Sequence, residues 1–320
     1  MKLVTSVEIN KNSLPTLSHH DEVMMLGSCF SENIGQKFAA CGFHTDINPF
    51  GIIYNPLSIA KALDRIIDGT LYSDGDLFCH DRLWHSYMHH GSFSSTEKKW
   101  TLESINERLE KAHKEIGKVT HLYLTFGTAY VYSLKADGSV VSNCHKMPES
   151  TFERRLISVD EAVKVCKESI DRLLKINKKV KIILTVSPVR HLRDGLHAND
   201  VSKATLLFAV DRLAEAYPKN VSYFPAYEIM MDELRDYRFY AEDMMHPSDL
   251  AVDYIWERLS DSCFDKETKT LAGECEEIHK AFEHRPLHAD DEMNMDFLRK
   301  ITLKIERLNK KYPYLGLQKL

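Results

Sequence analysis

No apolar run in this chain approaches the roughly 18 residues that a membrane-spanning helix needs. Glycine and proline are sparse, 13 and 10 in 320 residues, so long flexible linkers are not expected. Positive charge is not in surplus. Lysine and arginine number 42 against 47 acidic residues, a net charge of −5, which argues against a protein that lives on a phosphate backbone. The seven cysteines are odd in number and scattered, with no CxxC pair. Reduced thiols in a reducing compartment fit that usage. The first 23 residues lack the apolar core of a signal peptide, so a cytoplasmic location is the expectation. GxGxxG and P-loop motifs are absent, and no nucleotide cofactor is expected.

What is present is ordinary globular composition: 43% hydrophobic, 28% charged and 10% aromatic residues. The length is generous for one domain and short for three. Residues 23–28 read as a buried strand ending in glycine. A helix follows, with Ile34 and Phe38 on one face and Gly42 at its end. Residues 45–56 read as a loop with two Asn-Pro steps. Helices are expected near 56–67 and 101–116, a strand from 121, and a hairpin turn at Asp137-Gly138 with its return strand at 140–146. Ser158 with Glu161 reads as a capping box opening a helix over 158–177. A strand at 178–189, a helix at 199–217, a strand at 221–228 and a helix at 246–264, capped by Ser248, complete the alternation. Alternating strands and helices predict an α/β protein, with a parallel sheet covered on both faces. Two charged helices, about 267–284 and 290–310, form a tail. The expected division is a domain over 1–265, carrying an insertion at about 70–118 and a hairpin at 133–148, and a helical extension over 266–320 packed on the core.

In a parallel sheet, ligands bind beyond the carboxyl ends of the strands. Ser28, in Gly27-Ser28-Cys29-Phe30, stands where the first strand turns into a helix. Its hydroxyl would project from a tight turn, beside helix N–H groups that lack intrahelical partners. The plainer reading is that Ser28 only caps the helix. Far downstream, Asp243 precedes His246 by three residues, just before a helix. Such a carboxylate can hold an imidazole by Nδ1–H and leave Nε2 free to take a proton. The plainer reading is an exposed loop histidine beside an unrelated carboxylate. Together the three residues supply nucleophile, base and orienter.

On these residues the chain resembles the GSCFA family, within the SGNH (GDSL-like) hydrolases. The name motif stands as Gly27-Ser28-Cys29-Phe30-Ser31, with serine where the family usually has alanine. The resemblance continues through Asn48-Pro49-Phe50-Gly51, Gly127-Thr128-Ala129, Asn143-Cys144-His145-Lys146, Ser187-Pro188-Val189 and Asp243 through Ser248. It implies a flavodoxin-like three-layer α/β/α sheet and a serine esterase or acyltransferase using Ser28, His246 and Asp243. It also implies an oxyanion donor at Gly51. The third block normally carries an asparagine donor and here reads Gly127-Thr128-Ala129. Asn48 and Thr128 are the candidate substitutes. No metal or cofactor is implied, and the partner would be a small-molecule, carbohydrate or lipid ester.

Two segments stay outside that scheme. Asn143 to Lys146 has reactive side chains, and Cys144 and His145 are candidate substrate contacts. The histidines His80, His85, His89 and His90 fall among aromatics in the insertion. His85 and His89 would meet if the segment were helical, and His85 is a further substrate-contact candidate at the entrance. The alternatives to a serine hydrolase are a non-catalytic ligand-binding protein of the same fold and a metal-dependent hydrolase built on this cluster.

Overall fold

The computed structural model describes residues 5–9, 13–283 and 292–317. Its centre is a five-stranded parallel sheet of β1 (Glu22–Gly27), β2 (His44–Ile47), β5 (His121–Phe126), β9 (Lys181–Val186) and β10 (Val221–Tyr223). The spatial order is β10-β9-β5-β1-β2, which is 2-1-3-4-5 when only these strands are counted in chain order. This is the flavodoxin-like α/β/α arrangement. The central strands read as unbroken apolar runs because both of their faces are covered. Met24, Leu26, Leu122, Leu124, Ile182 and Leu184 point into one core, and Val23, Met25, Tyr123 and Ile183 into the other.

The second core is built with α1 (Cys29–Ala40) and α7 (Asp249–Cys263). The first is built with α2 (Pro56–Asp68), α3 (Lys98–Ile116), α4 (Val159–Ile176) and α5 (Leu196–Ala216). The short α6 (Ala226–Glu228) follows β10. The tail forms α8 (Lys266–Glu283) and α9 (Glu292–Lys311), which pack through Leu271, Ile278, Ile301 and Ile305. Parts of the expected tail helices, at 284 and 290–291, lie outside the described residues. Among the described residues no helix is long and apolar enough to cross a membrane.

Three expectations need correction. The 45–56 segment is not all loop, because β2 pairs in parallel with β1 at the sheet edge. The hairpin at Asp137-Gly138 joins β6 (Tyr130–Leu134) to a two-residue β7 (Val140–Val141), so the return strand is shorter than expected. Beyond it, β8 (Phe152–Leu156) completes a separate antiparallel sheet. The segment expected to be an insertion contains the hairpin of β3 (Leu77–His80) and β4 (Leu83–Ser86). Ser158 does cap α4 by accepting the Glu161 N–H at 3.1 Å. The Glu161 carboxylate does not complete the box; it takes both arms of the Arg155 fork from β8.

Candidate active site

The strand order reverses between β1 and β5, and a crevice opens at that point beyond their carboxyl ends. Ser28 directly follows β1 and Gly127 directly follows β5. A Cβ placed on Gly127 would stand 3.5 Å from the Ser28 Cβ. Gly27 sits at φ +156°, and a Cβ there would lie 2.5 Å from the Thr125 carbonyl oxygen. Only glycine lets β1 and β5 approach this closely beside the serine. Gly27→Ala is therefore expected to destabilise the fold by about 2 kcal/mol or more. Urea denaturation would check this; an unchanged midpoint would refute it.

Ser28 occupies the N-cap position of α1, yet its side chain makes no capping bond. The hydroxyl is buried, the residue being 1% exposed, and Oγ has no hydrogen-bond partner. The plain capping role is thus not what holds this serine. The residue opens into a pocket of about 280 Å³, lined also by Cys29, Tyr54, Val189, Arg190, His191, Leu192, Arg193, Met245 and His246.

His246 reaches that pocket from a tight loop ahead of α7. Asp243 Oδ1 accepts the N–H groups of Met245 at 2.9 Å and His246 at 3.0 Å. Met244 takes φ +58° inside the turn. The other carboxylate oxygen lies 2.6 Å from His246 Nδ1. The backbone N–H bonds and then the imidazole hold the Asp243 carboxyl down at about 2. Both side chains are substantially exposed, 46% for His246 and 39% for Asp243. The loop is tied to the end of β9 by the Arg190 N–H, which donates to the Met245 carbonyl at 3.0 Å.

The expected oxyanion groups have separate fates. The Gly51 N–H donates to the Asn48 carbonyl at 2.7 Å, and Gly51 packs against His90. The Gly127 and Thr128 N–H groups both donate to the Tyr54 carbonyl. Thr128 Oγ1 accepts the Tyr130 N–H and meets Ser202 Oγ at 3.2 Å. Asn48 Oδ1 accepts the Gly27 N–H at 3.0 Å, whereas its Nδ2 is buried without a partner. Of these four residues, Asn48 is the one with a buried side-chain donor still unspent.

The insertion histidines do not join the pocket wall. The segment is a hairpin, so His85 and His89 are not stacked one helical turn apart. The His85 ring faces His145 at 4.4 Å, and His89 stacks on Phe50 at 4.7 Å. His145 Nε2 lies 2.9 Å from the Ser86 carbonyl oxygen. Cys144 and His145 sit in a turn rather than on a strand, with His145 at φ +48°. Burial pushes the Cys144 thiol up to about 11, and it raises the Cys29 thiol too, so neither favours a thiolate. Among the described residues no group of three or more His, Cys, Asp or Glu side chains gathers as metal ligands would.

Sequence reasoning missed His191 and Arg190. Both follow the strand-end block Ser187-Pro188-Val189 directly, and the strand-end rule needed only two more residues to reach them. Burial holds the His191 imidazole down at about 4, and its Nε2 has no hydrogen-bond partner. Arg190 lies over the Tyr240 ring at 4.5 Å.

The GSCFA family model matches residues 22–259, most of the chain and all of the elements that build this site. The chain belongs to the GSCFA family. A second model, for the C-terminal domain of GSCFA proteins, matches residues 275–320. No curated protein sequence matches this GSCFA chain. The solved structures that are distantly similar include these three. One is a Bacteroides fragilis protein whose acylhydrolase activity is inferred, with 12% identity and a TM-score of 0.40, covering 81% of this chain and 92% of that one. Another is a gut microbial diltiazem-metabolizing enzyme, with 10% identity and a TM-score of 0.37, covering 79% and 49%. The third is an acetyl xylan esterase from the rumen bacterium Butyrivibrio proteoclasticus, with 10% identity and a TM-score of 0.38, covering 77% and 64%.

Proposed function

We propose that this GSCFA protein is a serine hydrolase of the SGNH type that acts on esters. The observation that carries the reading is the Asp243–His246 pair, joined at 2.6 Å, on the pocket where the buried, unpartnered Ser28 hydroxyl lies. Ser28 Oγ attacks the ester carbonyl carbon while His246 Nε2 takes the hydroxyl proton. Asp243 holds the Nδ1–H tautomer and balances the imidazolium charge. The carbonyl oxygen becomes an oxyanion, met by the Ser28 N–H and by Asn48 Nδ2. The Ser28 N–H is held only loosely by Thr125, at 3.4 Å. His246 then returns the proton to the leaving alcohol, and the acyl group stays on Ser28. Water, deprotonated by His246, releases the acid; an alcohol in its place would make the protein a transferase. The pocket of about 280 Å³ between Tyr54, Leu192 and Met245 suits a short acyl group.

A fluorophosphonate probe tests the assignment on the purified full chain. Wild type is expected to be labelled once, at Ser28, and Ser28→Ala not at all. Unlabelled wild type that nevertheless retains a bound ligand would favour the non-catalytic alternative, which the missing third-block asparagine supports. Equal labelling of both proteins would remove Ser28 from the chemistry.

A further inference from the structure

The first half of α5 carries three buried polar residues, Asn199, Ser202 and Lys203, at the i, i+3, i+4 spacing that puts side chains on one helix face. Further along the same helix Leu206, Ala209, Val210 and Leu213 are ordinary core. Each polar side chain reaches a loop of the Ser28 site. Asn199 Oδ1 accepts the His191 N–H at 3.0 Å. Ser202 Oγ accepts the Ala129 N–H at 2.8 Å. Lys203 Nζ donates to the carbonyls of Gly127 and Ser187, both at 2.7 Å. Those two carbonyls end the neighbouring strands β5 and β9, whose last paired residues are Phe126 and Val186. One ammonium therefore bridges two strand ends beside the serine.

The same bridge could be made without a charge, since a hydroxyl or an amide also donates to carbonyls. A lysine that is 1% exposed is a costly way to make it. Among the described residues no carboxylate forms an ion pair with Lys203. The groups that face it are Cys29 on α1, His191 after β9 and the Tyr227 ring on α6, 5.7 Å from Nζ. None of them is an anion at neutral pH, because burial keeps the Cys29 thiol and the Tyr227 phenol protonated and His191 neutral. A lone buried cation next to a reacting centre creates positive potential where negative charge develops.

We propose that Lys203 is a positioning residue of the Ser28 site, fixing the β5 and β9 loops and placing an ammonium charge behind the oxyanion where the third-block asparagine is missing. The proposal rests on the serine hydrolase reading. Burial lowers the Lys203 ammonium to about 7. The charge is present below that pH and lost above it.

The test compares full-length wild type, Lys203→Met and Lys203→Arg, each shown to be folded by thermal melting. The readout is the rate of fluorophosphonate labelling at Ser28 across neutral and alkaline pH. The wild-type rate is expected to fall as pH rises through about 7. Lys203→Met is expected to label about 10- to 100-fold more slowly at slightly acid pH, without that falling limb. Lys203→Arg keeps its charge and is expected to hold its rate into alkaline solution. A wild-type rate that stays level above neutrality, or a folded Met variant as fast as wild type, overturns the proposal and leaves Ser28 as nucleophile. If a variant does not fold, the wild-type profile decides. Absent labelling of wild type at every pH, or labelling that survives Ser28→Ala, overturns the hydrolase reading itself.

Discussion

Asp243→Asn is expected to lower turnover of a p-nitrophenyl ester by about three to four orders of magnitude while leaving the fold in place. The reason lies in what each carboxylate oxygen does. Oδ1 accepts the Met245 and His246 N–H groups and so holds the turn. An asparagine carbonyl can do the same. Oδ2 faces His246 Nδ1 at 2.6 Å, and an asparagine would present an N–H donor there. Nδ1 would then have to accept, which puts the ring proton on Nε2. A base that already carries its proton cannot take another from Ser28. Asp243 stays ionised far below neutral pH, its carboxyl being held at about 2. The acid limb of the wild-type rate profile therefore does not belong to Asp243. Wild-type and variant melting curves should coincide, because both side chains lie on the surface. A rate within about tenfold of wild type would show that His246 needs no orienter, and the triad reading would fall.

The parts of this protein legible in its sequence are those where burial imposes a period. β1, β5 and β9 are apolar on both faces, and each announces itself. The ends of β1 and β9 then locate the crevice without knowledge of the intervening chain. Ser28 and the Asp243–His246 step are legible for a related reason, because their geometry is local: a strand end in one case, a three-residue turn in the other. β2 and β8 were not legible. Asp46 lies inside β2 and is 6% exposed, a composition that reads as loop. It is tolerated because Arg108 from α3 grips its carboxylate and the Ile47 carbonyl. β8 reads Phe-Glu-Arg-Arg-Leu, and Arg154 and Arg155 are held by Asp194 and Glu161. The Asp46–Arg108 and Arg154–Asp194 pairs are long-range, and a hydrophobic pattern carries no trace of them.

The proposed oxyanion groups show the same limit more sharply. Gly51 matches by residue type the oxyanion donor that the resemblance implies, but whether its N–H is free depends on where the backbone turns. Asn48 stands at φ +43°, and the turn it starts delivers the Gly51 N–H to its own carbonyl. The loop's unspent donor is then the Asn48 side chain. Lys203 is harder still. Its spacing from Ser28 is 175 residues, and nothing about one lysine in an amphipathic-looking helix says that it is buried. What identifies it is the pair of carbonyls it reaches, and those are fixed only when β5 and β9 lie side by side.

His89, which does not line the Ser28 pocket, should govern acid stability. His89 is 1% exposed, stacked on Phe50, with Nδ1 2.9 Å from Ser86 Oγ and Nε2 unpartnered. Burial drops its imidazole from 6.5 to about 3, and His145 is pushed down to about 4 by the same cause. An unfolded chain takes up these protons near 6.5, while the folded chain refuses them. Between those values the unfolded state binds more protons, so stability is full above about 6.5 and drains as pH falls toward 4. For His89 alone the loss by pH 4 is on the order of 3 kcal/mol. His145, and His191 in the pocket at about 4, act in the same direction. In a chain of this size, a loss of that order lowers the melting temperature by roughly 5 °C. Melting curves of wild type and His89→Phe between neutral pH and about 4.5 would measure it. The variant keeps the stack on Phe50 and removes one titration, so its melting temperature should depend less steeply on pH. If both proteins hold the same melting temperature across that range, His89 is not buried in neutral form against Phe50.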